Sequence, residues 1–93
     1  MKVICIDYDG TYTHFPELLD CIVDKSKSLG YKVILATMRY EHEEDLGIKS
    51  IRSKVDQVIF TQRKAKLPFL LMMGIKVDIW IDDHPEWICN NSI

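Results

Sequence analysis

Two aspartates separated by a single residue, Asp7 and Asp9, stand at the end of the apolar run Val3-Ile4-Cys5-Ile6. In an extended segment residues two apart lie on the same side, so the pair is placed to share one cation. A second acidic pair, Asp82-Asp83, closes the run Val77 to Ile81. Between the two pairs come Thr37, at the end of Lys32 to Ala36, and the lysines Lys64 and Lys66, shortly after Val58-Ile59-Phe60-Thr61. Carboxylates in that number need a hard cation to offset their repulsion, and oxygen-only ligands favour Mg²⁺ over zinc or copper. A Mg²⁺ with an ammonium and a hydroxyl makes a receptor for a phosphoryl group, because it neutralises the oxygens while leaving a carboxylate free to attack phosphorus.

These residues can act together only if the chain brings them together. Unbroken apolar runs such as Val3 to Ile6 suit strands buried on both faces, as in a parallel sheet covered by helices. In such sheets ligands bind outside the carboxyl ends of the strands, and every run here ends there in a polar group. The elements between the strands read as helices. Pro16 and Glu17 suit a first turn, and Leu19, Ile22, Val23, Ser26 and Leu29 recur at helical spacing until Gly30, which predicts a helix and a βαβ crossover into Lys32–Thr37. The acidic stretch Glu41 to Asp45 reads as the solvated start of a helix through Leu46, Ile48, Ile51 and Val55. A third helix begins near Ala65 or Lys66, because Pro68 is tolerated only in a first turn, and runs through an all-apolar Phe69–Met73, read as core, to Gly74. The spacing leaves the tail from Glu86 to Ile93 unassigned.

Ninety-three residues, about half of them apolar, fit one small domain spanning 1–93 and exclude a second of useful size. A formal charge of -2 provides no polybasic field, so a nucleic-acid substrate would have to be gripped locally. The cysteines Cys5, Cys21 and Cys89 form no metal-spaced pair, and Cys5 falls in a buried strand, where a thiol acts as a small hydrophobe. With no signal-like segment and no apolar stretch of spanning length, the expectation is a cytoplasmic protein that does not enter membranes.

The sequence resembles the haloacid dehalogenase superfamily of phosphatases. Asp7-Tyr8-Asp9-Gly10-Thr11 matches the DxDGT signature of that family behind an apolar strand. Thr37 matches its strand-terminal Thr or Ser, Lys66 or Lys64 its lysine, and Asp82-Asp83 its acidic pair, each after its own strand. The resemblance implies a Rossmann-like three-layer α/β/α sandwich with a central parallel sheet, here without the cap for which neither inter-element link has room. It implies that Asp7 is the nucleophile and Asp9 the general acid and base. Thr37 and the lysine, with Lys66 preferred to Lys64, would hold phosphoryl oxygens. Mg²⁺ would be bound by Asp7, the Asp9 backbone carbonyl and Asp82, with Asp83 as a further candidate.

With no cap to shape a pocket, the expected partner is a phosphorylated substrate, either a small molecule or a nucleic-acid end, with a homo-oligomer as a second way to cover the open site. Arg39, two residues beyond Thr37, is either a surface residue or a second grip on substrate, and His14 reads as an exposed loop histidine. Two readings compete with the enzyme: a phosphoacceptor signalling module, and a catalytically silent binding protein on the same fold.

Overall fold

The structure is a computed structural model and describes residues 1–91. Its sheet has four strands, β1 (Val3–Asp7), β2 (Lys32–Thr37), β3 (Gln57–Phe60) and β4 (Ile79–Ile81), in the order β3-β2-β1-β4 and all parallel. The helices are α1 (Pro16–Ser28), α2 (Leu46–Ile51), α3 (Lys66–Met72) and the single turn α4 (Glu86–Cys89). This is the small α/β domain with a parallel sheet that the apolar runs call for.

Alternation along the central strands divides the core in two. Ile4, Ile6, Val33 and Leu35 pack with Leu19 and Val23 of α1 and Ile48 and Ile51 of α2. Cys5, Ile34 and Ala36 pack on the other face with Ile59 and with Leu70 of α3. Each large aliphatic side chain so buried contributes about 1.5–3 kcal/mol, which is why β1 and β2, covered on both sides, carry almost no polar residue before their last position. Register then decides where the polar ends lie. Asp7 pairs with Ala36, Ile6 with Ile81, and Thr37 with Phe60, so Asp7, Thr37 and Asp82 come to one edge of the sheet.

Several boundaries differ from the expectations. The acidic stretch does not begin α2: Glu41–Glu43 forms a separate 3-10 turn, and Asp45 caps α2 by accepting the backbone N–H of Ile48 at 2.9 Å. A carboxylate that can take an orphan N–H at a helix start favours the cap over a place inside the helix. Strand β4 is shorter than Val77 to Ile81, with Asp78 outside it and holding the N–H of Val3 at 2.9 Å. The Phe69–Met73 run is not all core. Leu70 is fully buried, whereas Met72 is 88% exposed and Leu71 and Met73 are also exposed, because α3 covers the sheet with one side only. Of the unassigned tail, Glu86–Cys89 is helical, and the last two residues lie outside those described. No helix among the described residues is long and apolar enough to cross a membrane.

Candidate active site

Strand β1 delivers Asp7 to the sheet edge and the chain then turns sharply. Asp9 is extended and Gly10 has a φ of +82°, in the region that side-chain-bearing residues avoid. A Cβ on Gly10 would also run into the Asp83 carboxylate, so the turn needs glycine for its conformation and for the close approach of the last acidic pair. Thr11 completes the join. Its Oγ1 lies 3.0 Å from Asp7 Oδ2 and 3.1 Å from Asp83 Oδ1, and it accepts the Asp83 N–H at 3.0 Å.

On the far side of Asp7 is Lys66, the first residue of α3. Its Nζ donates to Asp7 Oδ1 at 2.6 Å and to Asp82 Oδ2 at 2.5 Å, and its side chain is only 2% exposed. Lys64, by contrast, is exposed on the preceding turn and does not reach the carboxylates, so the two lysine candidates separate cleanly. The difference is one of orientation: the third strand is followed by Gln62 and Arg63 with φ of 57° and 67°, a left-handed double step that reverses the chain and sets α3 with its first residue inward.

One oxygen from each of Asp7, Asp82 and Asp83 lies within 4.8 Å of the others. Burial pushes the Asp7 carboxyl up, to about 7, against the pull of the Lys66 ammonium. Burial alone would lower the Lys66 ammonium, but the carboxylates of Asp7 and Asp82 outweigh it and the net shift is upward. Burial acts on Asp83 too, yet its hydrogen bonds with Asp7 and Thr11 hold it below the usual carboxylate range. Three carboxylates against one ammonium therefore leave an excess of negative charge that a proton on Asp7, or a cation, relieves.

Asp9 lies elsewhere. Both its oxygens are taken by Arg39, with Nε to Oδ2 at 2.9 Å and Nη2 to Oδ1 at 2.7 Å, and its side chain is 52% exposed. The side chain is thus not part of the three-carboxylate group. Thr37 is almost fully buried, and its Oγ1 accepts the Arg39 N–H at 3.3 Å.

These groups border a cleft of about 250 Å³. Asp7, Lys66 and Asp83 line its floor, while Asp9, Arg39 and Arg63 bring charge to its walls. His84 and Trp87 add an aromatic side, with ring centroids 4.2 Å apart and planes 22° from parallel. His84 is raised by its hydrogen bond with Glu86, 2.8 Å away. Thr11, Arg63, His84 and Trp87 were not singled out as site residues from sequence. Thr11 had a signal in its motif, but the other three are recognisable only once the turns after β3 and β4 are seen. His14 is exposed, away from this cleft.

No family model, curated protein or solved structure matches the chain.

Proposed function

We propose that the protein is a Mg²⁺-dependent phosphoric monoester hydrolase of the haloacid dehalogenase type, built as a capless Rossmann-like domain, with Asp7 as nucleophile. The observation that carries this reading is the setting of Asp7: a carboxylate at the carboxyl end of a central parallel strand, facing a cleft, with a buried ammonium 2.6 Å away. An ammonium there supports both the attacking carboxylate and the phosphoryl oxygens it attacks.

The three carboxylates of Asp7, Asp82 and Asp83 offer the oxygen donors that a hard divalent cation takes, with the Asp9 backbone carbonyl as a further one. When bound, the ion supplies charge neutralisation to the phosphoryl oxygens. The remaining chemistry belongs to the chain. An Asp7 oxygen forms a bond to phosphorus as the ester P–O bond breaks, and the departing oxygen takes a proton from Asp9. Asp9 then accepts a proton from the water that attacks phosphorus, the bond to Asp7 breaks, and phosphate leaves with Asp7 restored. Lys66 and the Thr37 hydroxyl hold phosphoryl oxygens throughout. The absence of room for a cap favours a nucleotide or nucleic-acid phosphate over a small sugar phosphate, because an open cleft gives a small ligand little to bind.

The test is phosphate release from p-nitrophenyl phosphate with Mg²⁺. The parent protein should turn it over, and Asp7→Asn should retain no more than about a few per cent, since an amide cannot form the bond to phosphorus that the carboxylate forms. A parent protein that is folded and binds Mg²⁺ yet releases no phosphate from any monoester would overturn the reading and return the chain to the silent binding protein or the signalling module.

A further inference from the structure

Taking the phosphatase reading of the Asp7 centre as its basis, we propose that Arg39 is a specificity-determining residue, a receptor for a second anionic group of the substrate that Asp9 plugs in the free protein. The two edges of the guanidinium are held in different ways. Its Nη1 donates to the Glu43 carbonyl oxygen at 2.8 Å and to Asp45 Oδ2 at 3.1 Å. Asp45 is itself fixed, accepting from the Tyr8 hydroxyl at 2.9 Å and from the Ile48 N–H at 2.9 Å. Burial and the Asp45 carboxylate push the Tyr8 hydroxyl up to about 12, so it stays a donor, and its ring lies under the guanidinium carbon at 5.2 Å. Gly47 leaves the space that the Tyr8 hydroxyl occupies, which a Cβ would take. This edge is built by Tyr8, Glu43, Asp45 and the start of α2, and stays in place when the other edge changes partner.

The other edge, Nε and Nη2, faces the cleft and, among the described residues, meets only the exposed Asp9. Two parallel N–H groups fit a phosphate or carboxylate equally well, and an ion pair open to water is weakened by screening, so an incoming anion exchanges readily with Asp9. The exchange also frees both Asp9 oxygens for the leaving group. A second observation on the same wall supports an anion subsite. Arg63 lines the cleft beside Arg39, donating to the Met38 carbonyl oxygen at 2.9 Å and to Glu43 Oε2 at 3.1 Å. It is placed there by two consecutive non-glycine residues at positive φ, a strained backbone that clusters at functional sites. Lys66 at the floor and two guanidiniums at the wall suit a monoester that carries a second phosphate, or a carboxylate, within the length of the cleft.

The experiment compares kcat/KM for a nucleoside bisphosphate, with one phosphate on each of two ribose hydroxyls, against the matching nucleoside monophosphate. The ratio cancels any general loss of activity. The parent should prefer the bisphosphate by about tenfold or more, mostly through KM, as expected for a charge-assisted two-point contact. In Arg39→Gln the ratio should fall towards one, and Arg39→Lys, which keeps the charge but not the fork, should fall between. A phosphorylated hydroxy acid against its phosphorylated alcohol distinguishes a carboxylate from a phosphate as the second group. If the parent shows no preference in either pair, or Arg39→Gln keeps it, the receptor does not exist. Should the parent turn over no monoester, the phosphatase reading fails separately, and calorimetric titration of the nucleoside bisphosphate decides. Binding about tenfold weaker in Arg39→Gln than in the parent upholds the receptor, and equal or absent binding in both removes it.

Discussion

Asp7 and Asp9 belong to the same turn and each is held by a cation, but Lys66 holds the first out of water and Arg39 holds the second in it. The Lys66 side chain is 2% exposed and that of Asp82 beside it also 2%, whereas those of Arg39 and Asp9 are 24% and 52% exposed. Buried charges keep nearly all of their mutual attraction and all of their desolvation penalty, so neither partner can be lost or replaced without consequence. At the rim both quantities are screened, and the pair is free to trade partners. One network is fitted to hold charge in a fixed place, the other to exchange it.

The largest expected effect is on the buried side. Lys66→Met removes the only ammonium that, among the described residues, faces Asp7 and Asp82, and a buried pair broken in this way costs about 3–5 kcal/mol. For a domain of this size that is a fall of well over about ten degrees in melting temperature at neutral pH. A fall of only a few degrees would show that the centre is wetter than its geometry indicates.

Cation binding comes next. At a hundredfold excess over Kd, Mg²⁺ should stabilise the native state by about 2.7 kcal/mol, raising the midpoint by roughly ten degrees or more. The effect should depend on pH. Asp7 titrates near 7 in the fold against an ordinary 3.8, so between those values the folded state binds more protons and metal-free stability falls as pH rises. Asp83 shifts the other way, but its exposure to solvent makes its contribution smaller. Because Mg²⁺ takes the place of the proton, the gap between melts in Mg²⁺ and in EDTA should widen between about pH 5 and pH 8. A constant gap would mean that the ion does not meet Asp7.

Asp83→Asn should have a smaller and two-sided effect. It removes one like charge without touching the Lys66 pairs, and an amide oxygen can still accept from Thr11. Because the fold holds the Asp83 carboxylate below its ordinary range, its charge is favoured there, so the metal-free variant should melt slightly lower than the parent, while Mg²⁺ raises it less and the gap between its two melts narrows. A variant more stable than the parent in EDTA would show that repulsion from the other carboxylates outweighs the hydrogen bonds that hold Asp83.

The smallest effect belongs to the rim. Asp9→Asn, which breaks the exposed pair and leaves the inner edge of Arg39 in place, should change stability by no more than about 1 kcal/mol, and added salt should shrink the difference further, as for any exposed pair. A loss comparable to that of Lys66→Met would erase the contrast between the two networks and make the pair of Asp9 and Arg39 a part of the fold.

By itself the sequence determined the sheet and the polar ends of its strands. Runs such as Val33 to Ala36 have no stable place except between two helical layers, and parallel strands so covered send Asp7, Thr37 and Asp82 to a common edge whatever the details of the loops. What lay beyond it depended on directions that a one-dimensional pattern does not carry. The sequence already preferred Lys66 to Lys64 from its place in the first turn of a helix, but what sets Lys66 inward is the left-handed step at Gln62 and Arg63, held by contacts of that turn with Met38 and Arg39 and not by local propensity. The exposure of Met72 followed from how far one short helix can cover a sheet. The separation of Asp9 from Asp7 was the least legible of all. Period-two reasoning put both on one side, but the chain leaves the strand at Asp7, and a guanidinium thirty positions away, held from behind by Tyr8 and Asp45, offers Asp9 a closer partner than its neighbour's cluster. Long-range pairing of that kind is a property of the folded surface, because solvent and geometry, and not sequence distance, decide which opposite charges meet.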